Sequence, residues 1–406
     1  MTDNHITASL VFDGGDSVLI PEPMGTPRGD QMQGSPAEQL TELAGRVCYD
    51  SLGKGRPSFT TEQTQGYHDH IKQVGHGSVC EHFNFTVEIP LGTSRNLSNS
   101  EMCVDNRSML FGACCTNRPG VMMFQAVEPR AVRLTTNLRS VREWLNWEVL
   151  LYGSVTPVAM QFASMLHRLA NQIAPHIIPE SPQFDGVVVG RAGSASQEIF
   201  DELQQARIVA PITDHERWIS MYLTGSRGLS HELVRHGDFT AISQRSTRFV
   251  DESEGEWIQH PLLTAYIDEV KPVARGAAAY DFVIAEEHRS HAIRDCRKVY
   301  DETVAVLEPW LINRGVDKTT ARKQARGAAR GYLGNALQTE LIFSANVSQW
   351  KWMLRQRASE FADAEIRELF CKVLPELQSS RYQQSFSRWS LRPSPDGIGQ
   401  VAVEGN

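Results

Sequence analysis

The segment from Arg235 to Val250 concentrates side chains that bind anions. It holds three arginines, one histidine and four hydroxyl side chains, and it contains neither lysine nor glutamate. A guanidinium presents a planar fork of N–H donors that matches the oxygens of a phosphate or of an imide. A surface segment that serves only solubility usually mixes lysine with glutamate. The composition therefore predicts recognition of a small anionic ligand.

Strands and helices on either side must position this segment. Leu229, Leu233 and Val234 recur at helical spacing and predict a helix over 226–234. A strand is predicted before it at 218–223, and a strand–helix pair after it at 339–345 and 348–355. A further helix is predicted at 363–374, and Pro375 is expected to end it.

The first half of the chain shows a similar alternation. Strands are predicted at 8–12, 83–89 and 131–136, the last followed by a helix from Asn137, and another helix at 158–173. Residues 37–75 are expected to be mainly helical, and 90–122 irregular. Three prolines and several glycines in 175–193 mark a boundary. We expect an α+β (α/β) fold of small, mostly antiparallel sheets packed with helices, divided into an arm (1–36), a first unit (37–190) and a second unit (191–406).

Short segments of the two halves also resemble each other in the same order. Residues 94–99 parallel 226–231, and residues 136–140 parallel 345–349, each of the latter between a strand and a tryptophan-bearing helix. A diverged tandem duplication explains such a pattern. Chance similarity between strand–helix units is the alternative.

Composition excludes several classes of protein. The net charge of −8 and the pI of about 5.9 argue against a general nucleic-acid binder. The seven cysteines have no CxxC spacing, which favours the reducing cytoplasm. No apolar run has the length of a membrane span, so no membrane partner is expected. The histidines at 68, 70, 76 and 82 fit no standard ligand spacing, and no metal site is predicted.

The chain resembles the flavin-dependent thymidylate synthases, the ThyX family. Its family motif, Arg-His-Arg followed by seven residues and a serine, corresponds to Arg235-His236-Gly237 with Ser246. Here a glycine takes the third place and the spacer is one residue longer. The family's GHxSxxEH segment corresponds to residues 75–82. Residues 44–49, 329–330, 339–346, 357–360 and 362–367 are also similar to family segments.

This resemblance implies a set of residue roles. Arg357 would be the catalytic group, polarising the N3–O4 edge of uracil so that C5 becomes nucleophilic; without the resemblance it is better interpreted as an arginine at a helix C-terminus. Substrate would be bound by Glu232, Arg235, Gln244, Ser246, Thr247, Arg248, Arg330 and Arg357. The flavin would be bound by His76, Ser78, Asn137, Arg139, His236, Gly237 and Asn346. The implied cofactors are FAD and NADPH, with 5,10-methylenetetrahydrofolate as co-substrate.

The two halves have complementary losses relative to the family. The first half keeps family-like residues at His76, Ser78 and Asn137-x-Arg139. It has Cys103-Val104-Asp105 where Arg-His should be and Glu148 where Arg357 should be. The second has no counterpart of His76. Because the family builds each site from several subunits of a tetramer, the resemblance implies a homodimer that imitates it.

The long, two-unit form is similar to the UMP/dUMP C5-methylases of polyoxin-type nucleoside antibiotic biosynthesis, which favours UMP as a substrate beside dUMP. A dUMP-specific flavin-dependent thymidylate synthase and an inactive flavin- or nucleotide-binding homologue are the alternatives. An RNA uridine methylase is disfavoured by the acidic charge.

Overall fold

The computed structural model describes residues 6–16, 18–19, 33–51, 61–73, 76–90, 122–126, 131–186, 188, 195–237, 239–273 and 275–405. Two four-stranded antiparallel sheets, each packed with helices, dominate these residues. The predicted fold class is thus confirmed. The predicted repeat at 94–99 and the Cys103-Val104-Asp105 segment lie outside the described residues.

The first half begins with a strand and two helices and continues into the first sheet. In chain order its elements are β1 (Thr7–Phe12), α1 (Pro36–Cys48), α2 (Thr61–Gln73), a 3-10 turn (Gly77–Glu81), β2 (Asn84–Pro90), β3 (Met122–Ala126), β4 (Ala131–Asn137), α3 (Leu138–Tyr152) and α4 (Pro157–Ile173).

The second half carries the second sheet and, between two of its strands, a run of helices. Its elements are α5 (Ala195–Gln204), β5 (Arg207–Val209), β6 (Trp218–Ser226), α6 (Arg227–Leu233), β7 (Thr240–Gln244), α7 (Pro261–Val270), α8 (Ala277–Asn313), α9 (Lys318–Ala329), a 3-10 turn (Arg330–Tyr332), β8 (Gln338–Asn346), α10 (Val347–Arg357), α11 (Ala364–Ser379), a 3-10 turn (Gln383–Phe386), β9 (Trp389–Pro393) and β10 (Gln400–Glu404).

Helix α11 continues through Pro375, so the prediction that this proline ends the helix is wrong. A proline inside a helix removes one backbone hydrogen bond and costs about 3 kcal/mol. The extra turn offsets this cost because Leu377 is fully buried. In addition, Glu376 Oε2 accepts a 2.8 Å hydrogen bond from the backbone N–H of Leu10.

The two sheets have corresponding strand orders, and each takes one edge strand from the other half of the chain. The first sheet runs β3-β4-β2-β5, and the second runs β7-β8-β6-β1. Strand β1 lies before the first sheet in the chain but pairs with β6 of the second, with Thr7 opposite Thr224. Strand β5 pairs in turn with β2 of the first sheet, with Val87 opposite Ile208. Each half of the chain therefore completes the other half's sheet.

The strand that leads into a tryptophan-bearing helix is built alike in both halves. Strand β4 ends at Asn137, whose side chain caps α3 by accepting the N–H of Ser140 at 2.9 Å. Strand β8 ends at Asn346, whose side chain caps α10 by accepting the N–H of Gln349 at 2.7 Å. An asparagine at this position satisfies a backbone donor that the helix leaves free.

A buried histidine joins the two halves. Helix α1 packs against β7 and β8 of the second sheet, and the 3-10 turn at Gly77–Glu81 packs against β7. His82, directly after this turn, is 1% exposed and is bonded through Nδ1 to Ser344 Oγ and through Nε2 to Ser243 Oγ, both at 2.8 Å. Burial lowers the pKa of His82 to about 3. The neutral ring therefore fixes β7, which is part of the arginine-rich segment, beside β8.

A search of the described helices for an apolar stretch of membrane-spanning length returns none.

Candidate functional site

Arg357, Glu232, His236 and Trp352 form one group, which we call the Arg357 cluster. Arg357 is the last residue of α10, and its Nε donates to His236 Nε2 at 2.9 Å. Its Nη1 donates to Glu232 Oε2, also at 2.9 Å. The ring of Trp352 meets His236 edge-on with centroids 5.0 Å apart, and Trp352 is 45% exposed. The guanidinium is thus held from two sides at the margin of the protein.

His236 is neutral in this arrangement. Burial, and in second place the positive charge of Arg357, lowers the pKa of His236 to about 4. Because Nε2 accepts from Arg357, the ring proton lies on Nδ1, and this atom is buried with no hydrogen-bond partner. A buried donor without a partner is costly, which indicates that a ligand can complete this site. Beside it, Arg235 and Gly237 are exposed.

The end of β7 and the turn after it form a second group together with one arginine of α6 and one of the 3-10 turn after α9. We call it the phosphate cluster after its predicted ligand, and it comprises Gln244, Ser246, Thr247, Arg248, Arg330 and Arg227. Gln244 Nε2 donates to Ser230 Oγ at 2.9 Å and to Thr339 Oγ1 at 3.0 Å. The backbone N–H of Ser246 donates to the carbonyl of Cys48 at 2.9 Å, which anchors the turn to α1. Thr247 is buried, whereas Ser246 is half-buried and Arg248 is exposed.

Arg227 and Arg330 are neighbours of like charge. Burial lowers the pKa of Arg227, Glu252 opposes this change, and the positive charge of Arg330 lowers the pKa further. Neither arginine forms a salt bridge among the described residues, and Arg330 is exposed. Two neighbouring cations that have no direct salt bridge among the described residues suit a bound anion.

Arg245 lies among three carboxylates of this region. Its guanidinium lies 3.6 Å from Asp50, 3.5 Å from Glu252 and 3.7 Å from Glu340. Burial raises the pKa of Glu252 to about 7, against the lowering effect of Arg245. The role of Arg245 is therefore to support the turn that carries Ser246.

His76 lies against the second half of the chain. The hydroxyl of Tyr49 is 3.3 Å from His76 Nδ1, and the Tyr49 ring packs edge-on against Phe249 with centroids 4.9 Å apart. Burial lowers the pKa of His76. Ser78 is half-buried in the adjoining 3-10 turn. The structure thus brings these two predicted flavin residues close to the arginine-rich segment.

The other predicted flavin residues have structural partners. Arg139 forms ion pairs with Glu81 and with Glu143, the latter at 3.0 Å. Asn137 and Asn346 are buried, and their side-chain oxygens cap helices. Asn346 and Arg357 lie at opposite ends of α10, about 15 Å apart for an eleven-residue helix. One chain therefore does not bring all predicted flavin residues to the Arg357 cluster.

The Arg357 cluster and the phosphate cluster meet α6 from opposite sides. Gln244 contacts Ser230, and Arg357 contacts Glu232. Positions two residues apart on a helix differ by about 200° in direction. The predicted substrate residues thus fall into two groups on different sides of α6, which we call half-sites.

Sequence reasoning missed three residues that lie in these clusters or beside them. Arg227 stands in the segment compared with 94–99 and has no predicted binding role there. Tyr49 belongs to the family-like segment 44–49 and carried no predicted role. Trp352 occupies the exposed side of a helix whose buried tryptophan is Trp350. The spacing of Trp350 and Trp352 was the available signal, because side chains two positions apart on a helix point in nearly opposite directions.

Comparison with known proteins shows which family the chain belongs to. The family model described as "Thymidylate synthase complementing protein" matches residues 31–102 and 216–380, more than half of the chain. The protein belongs to this family, as the resemblance predicted. Residues 103–215, which include most of the first sheet, fall outside the match.

Individual relatives are flavin-dependent thymidylate synthases. That of Mycolicibacterium gilvum is 36% identical over 180 residues, covering 44% of this chain and 64% of that protein. That of Mycolicibacterium vanbaalenii is 31% identical over 239 residues, covering 55% of this chain and 88% of that protein. That of Corynebacterium glutamicum is 38% identical over 160 residues, covering 39% and 57%. The chain thus spans less than two thirds of the length of several relatives that it matches.

Proposed function

We propose that the protein methylates C5 of a uridine nucleotide, UMP or dUMP, in a flavin-dependent reaction. Methylenetetrahydrofolate would be the carbon donor and NADPH the reductant. The observation that carries this proposal is the fixed guanidinium of Arg357, held at 2.9 Å by both Glu232 and His236 in a member of this family. Arg357 also stands at the position of the family's activating arginine, which supports the same chemistry.

Arg357 would act on the uracil ring electrostatically. C5 of uracil attacks only when negative charge can accumulate on N3 and O4, and a cation already in place stabilises that charge without reorganising. Glu232 orients the guanidinium, and neutral His236 does so without adding a competing positive charge. One such preorganised donor contributes about 10²–10³-fold in rate.

The phosphate cluster would hold the nucleotide. Arg248 and Arg330 present cations without salt-bridge partners among the described residues, and Ser246 supplies a hydroxyl two residues before Arg248. Guanidinium groups bind phosphate through paired hydrogen bonds. Gln244, beside this turn, would contact the sugar or the base.

The residues around the Arg357 cluster fit a flavin. The buried Nδ1–H of His236 has no partner, Trp352 offers an exposed ring, and Gly237 has open space where a side chain would stand. When bound, FAD supplies the reducing equivalents that convert the transferred carbon into a methyl group. The protein's own task is to position substrates and exclude water.

We further propose that each complete site is shared between two copies of the chain. The two half-sites face opposite sides of α6, so a second copy is needed to bring one against the other. Mixing Arg357→Ala with Arg248→Ala subunits tests this. Random reassociation makes about half of the dimers mixed, and one of the two sites in a mixed dimer is intact, so about a quarter of wild-type activity should return. No recovery, with exchange shown by mass spectrometry, would contradict shared sites.

The two-unit organisation is proposed to derive from tandem duplication, with an arm (1–36), a first unit (37–190) and a second unit (191–406). The common strand order of the sheets and the matching asparagine caps at Asn137 and Asn346 support it.

Use of UMP in nucleoside antibiotic biosynthesis is the finer part of the proposal. Its support is the altered spacer: Gly237 replaces the family's arginine, and Phe239 adopts a left-handed φ of 55° to enter β7. A non-glycine residue in this region is uncommon and marks a reshaped loop.

A paired assay tests the proposed function. UMP and dUMP are incubated separately with the full-length protein, FAD, NADPH and labelled methylenetetrahydrofolate, and the methylated nucleotide is measured. Product from UMP supports the preferred proposal. Product from dUMP alone would establish a dUMP-specific synthase. No product from either, with flavin bound, would establish the inactive homologue.

A further inference from the structure

Helix α9 presents a row of basic residues toward the phosphate cluster. Lys323, Gly327 and Arg330 follow one another at i, i+4 and i+7 and share one face of the helix and its continuation. The two cations at the ends of this row are seven residues apart, which corresponds to about 10 Å along a helix. The glycine between them leaves room for another side chain.

Arg248 fills that room. A Cβ on Gly327 would lie 3.7 Å from Arg248 Cγ, so the arginine stem runs directly over the glycine. Phe249 holds the next cation in place, because Lys323 Nζ lies 4.8 Å from the centre of its ring. Arg248 Cζ lies 6.0 Å from the same centre. Lys323 and Arg248 therefore flank one aromatic ring.

Nearby carboxylates are already paired with other arginines. Asp251 is bound by Arg326 at 2.6 Å, and Arg326 also donates to the carbonyl of Phe249 at 2.6 Å. Asp50, Glu252 and Glu340 surround Arg245, as described above. Within the part of the chain that the structure describes, Lys323 and Arg248 form no salt bridge. The row thus keeps its positive charge.

The row is longer than one phosphate requires. It runs from Arg330 of the phosphate cluster to Lys323 at the other end. Gln244 contacts Ser230 in the middle of α6, Arg227 begins that helix beside Arg330, and Lys323 lies at the far end of the row. A phosphate group is only a few ångströms across, so one bound at Arg330 and at the near side of Arg248 leaves Lys323 and the far side of Arg248 for another anion. That anion would lie beyond the 5′-phosphate as seen from the sugar.

We propose that Lys323 and Arg248 form a second anion subsite, which binds the second phosphate of a uridine 5′-diphosphate. This inference rests on the proposed function, because it takes the first phosphate to lie in the phosphate cluster. The subsite extends the set of nucleotides that the protein binds from monophosphates to diphosphates.

Calorimetric titration of the full-length protein with UMP and with UDP tests the subsite. UDP should bind about fivefold more tightly than UMP, as one additional partly exposed ion pair gives. Lys323→Ala should abolish this difference while leaving UMP affinity unchanged. Lys318→Ala removes the same charge from the exposed start of the same helix and should preserve the difference.

The outcomes separate the two proposals. If neither UMP nor dUMP binds in the same titration, the proposed function and the subsite are overturned together. If UMP binds and UDP binds no more tightly, the subsite is refuted and the proposed function stands. An equal loss of UMP and UDP affinity in Lys323→Ala also refutes the subsite, since it shows a general electrostatic effect.

Discussion

The buried His82 makes a defined prediction about stability and pH. Its ring is bonded to Ser243 and Ser344 and its folded-state pKa is about 3, against an ordinary value of 6.5. The folded protein therefore holds this ring neutral, while the unfolded chain protonates it below 6.5. Its contribution to stability is complete above pH 6.5 and is lost as the pH falls toward 3. Between pH 7 and pH 5 this loss amounts to about 2 kcal/mol.

The perturbation is His82→Gln, which keeps a donor and an acceptor but does not titrate. At pH 7 it should cost about 1–3 kcal/mol, because the amide cannot satisfy both hydroxyls as well. Its further loss between pH 7 and pH 5 should be about 2 kcal/mol smaller than that of the wild type. Urea unfolding at both pH values, followed by tryptophan fluorescence, measures these differences.

A matched control is His231→Gln, which changes an exposed histidine on α6 and should follow the wild-type profile. If His82→Gln and the wild type lose the same stability between pH 7 and pH 5, the ring does not act as a neutral clamp and the reasoning is refuted.

The site and its surroundings yield three more predictions. Arg357→Ala should lower the methylation rate about 10²–10³-fold with the flavin absorbance retained, whereas exposed Arg355→Ala should not; equal activity would remove Arg357 from the mechanism. Burial raises the pKa of Glu252 to about 7 from 4.5, so its favourable contribution is present below pH 4.5 and is lost as the pH rises through 7. The difference in unfolding free energy between Glu252→Gln and the wild type should thus shift by about 1–3 kcal/mol in favour of the variant from pH 5 to pH 8, measured by thermal unfolding. Gly77→Ala places a Cβ 2.8 Å from Glu143 Oε1 and so displaces the ion pair between Arg139 and Glu143. Flavin content should fall with little change in melting temperature. Full flavin content would show that this ion pair does not contribute to flavin binding.

Local patterns were enough to predict the elements that lead into and out of the site. The strands and helices at 131–137, 218–226, 338–346 and 347–357 have strong apolar periodicity, and their predicted positions are confirmed with small differences at the ends. Pro375 shows where a local rule fails, because burial of Leu377 outweighs the missing hydrogen bond.

Elements without a buried apolar face were not predictable in the same way. Helix α8 extends from Ala277 to Asn313 with many exposed residues, so no regular apolar stripe marks it. Strand β7 lies within the arginine-rich segment, and its short run from Thr240 to Gln244 was concealed by the polar residues around it. The pairing of β1 with β6 depends on contacts more than 200 residues apart, which local pattern does not contain.

The structure brings some of the residues that the motif predicts into contact. Glu232 of α6, His236 shortly after α6 and Arg357 of α10 meet directly, although the two helices are far apart in the chain. The division into two half-sites was not predicted from the motif, because Gln244 and Arg357 belong to one family pattern and only the direction of the helix between them separates them.

The exchange of β1 and β5 limits how a gene for this protein can be divided. A fragment that ends near the 175–193 boundary would carry β1 without β6, and the remaining fragment would carry β5 without β2. Each fragment would then expose an unpaired strand edge, which promotes aggregation. Coexpression of both fragments should restore a soluble pair, since each supplies the strand that the other lacks. A shortened version made for screening would accordingly have to retain both sheets.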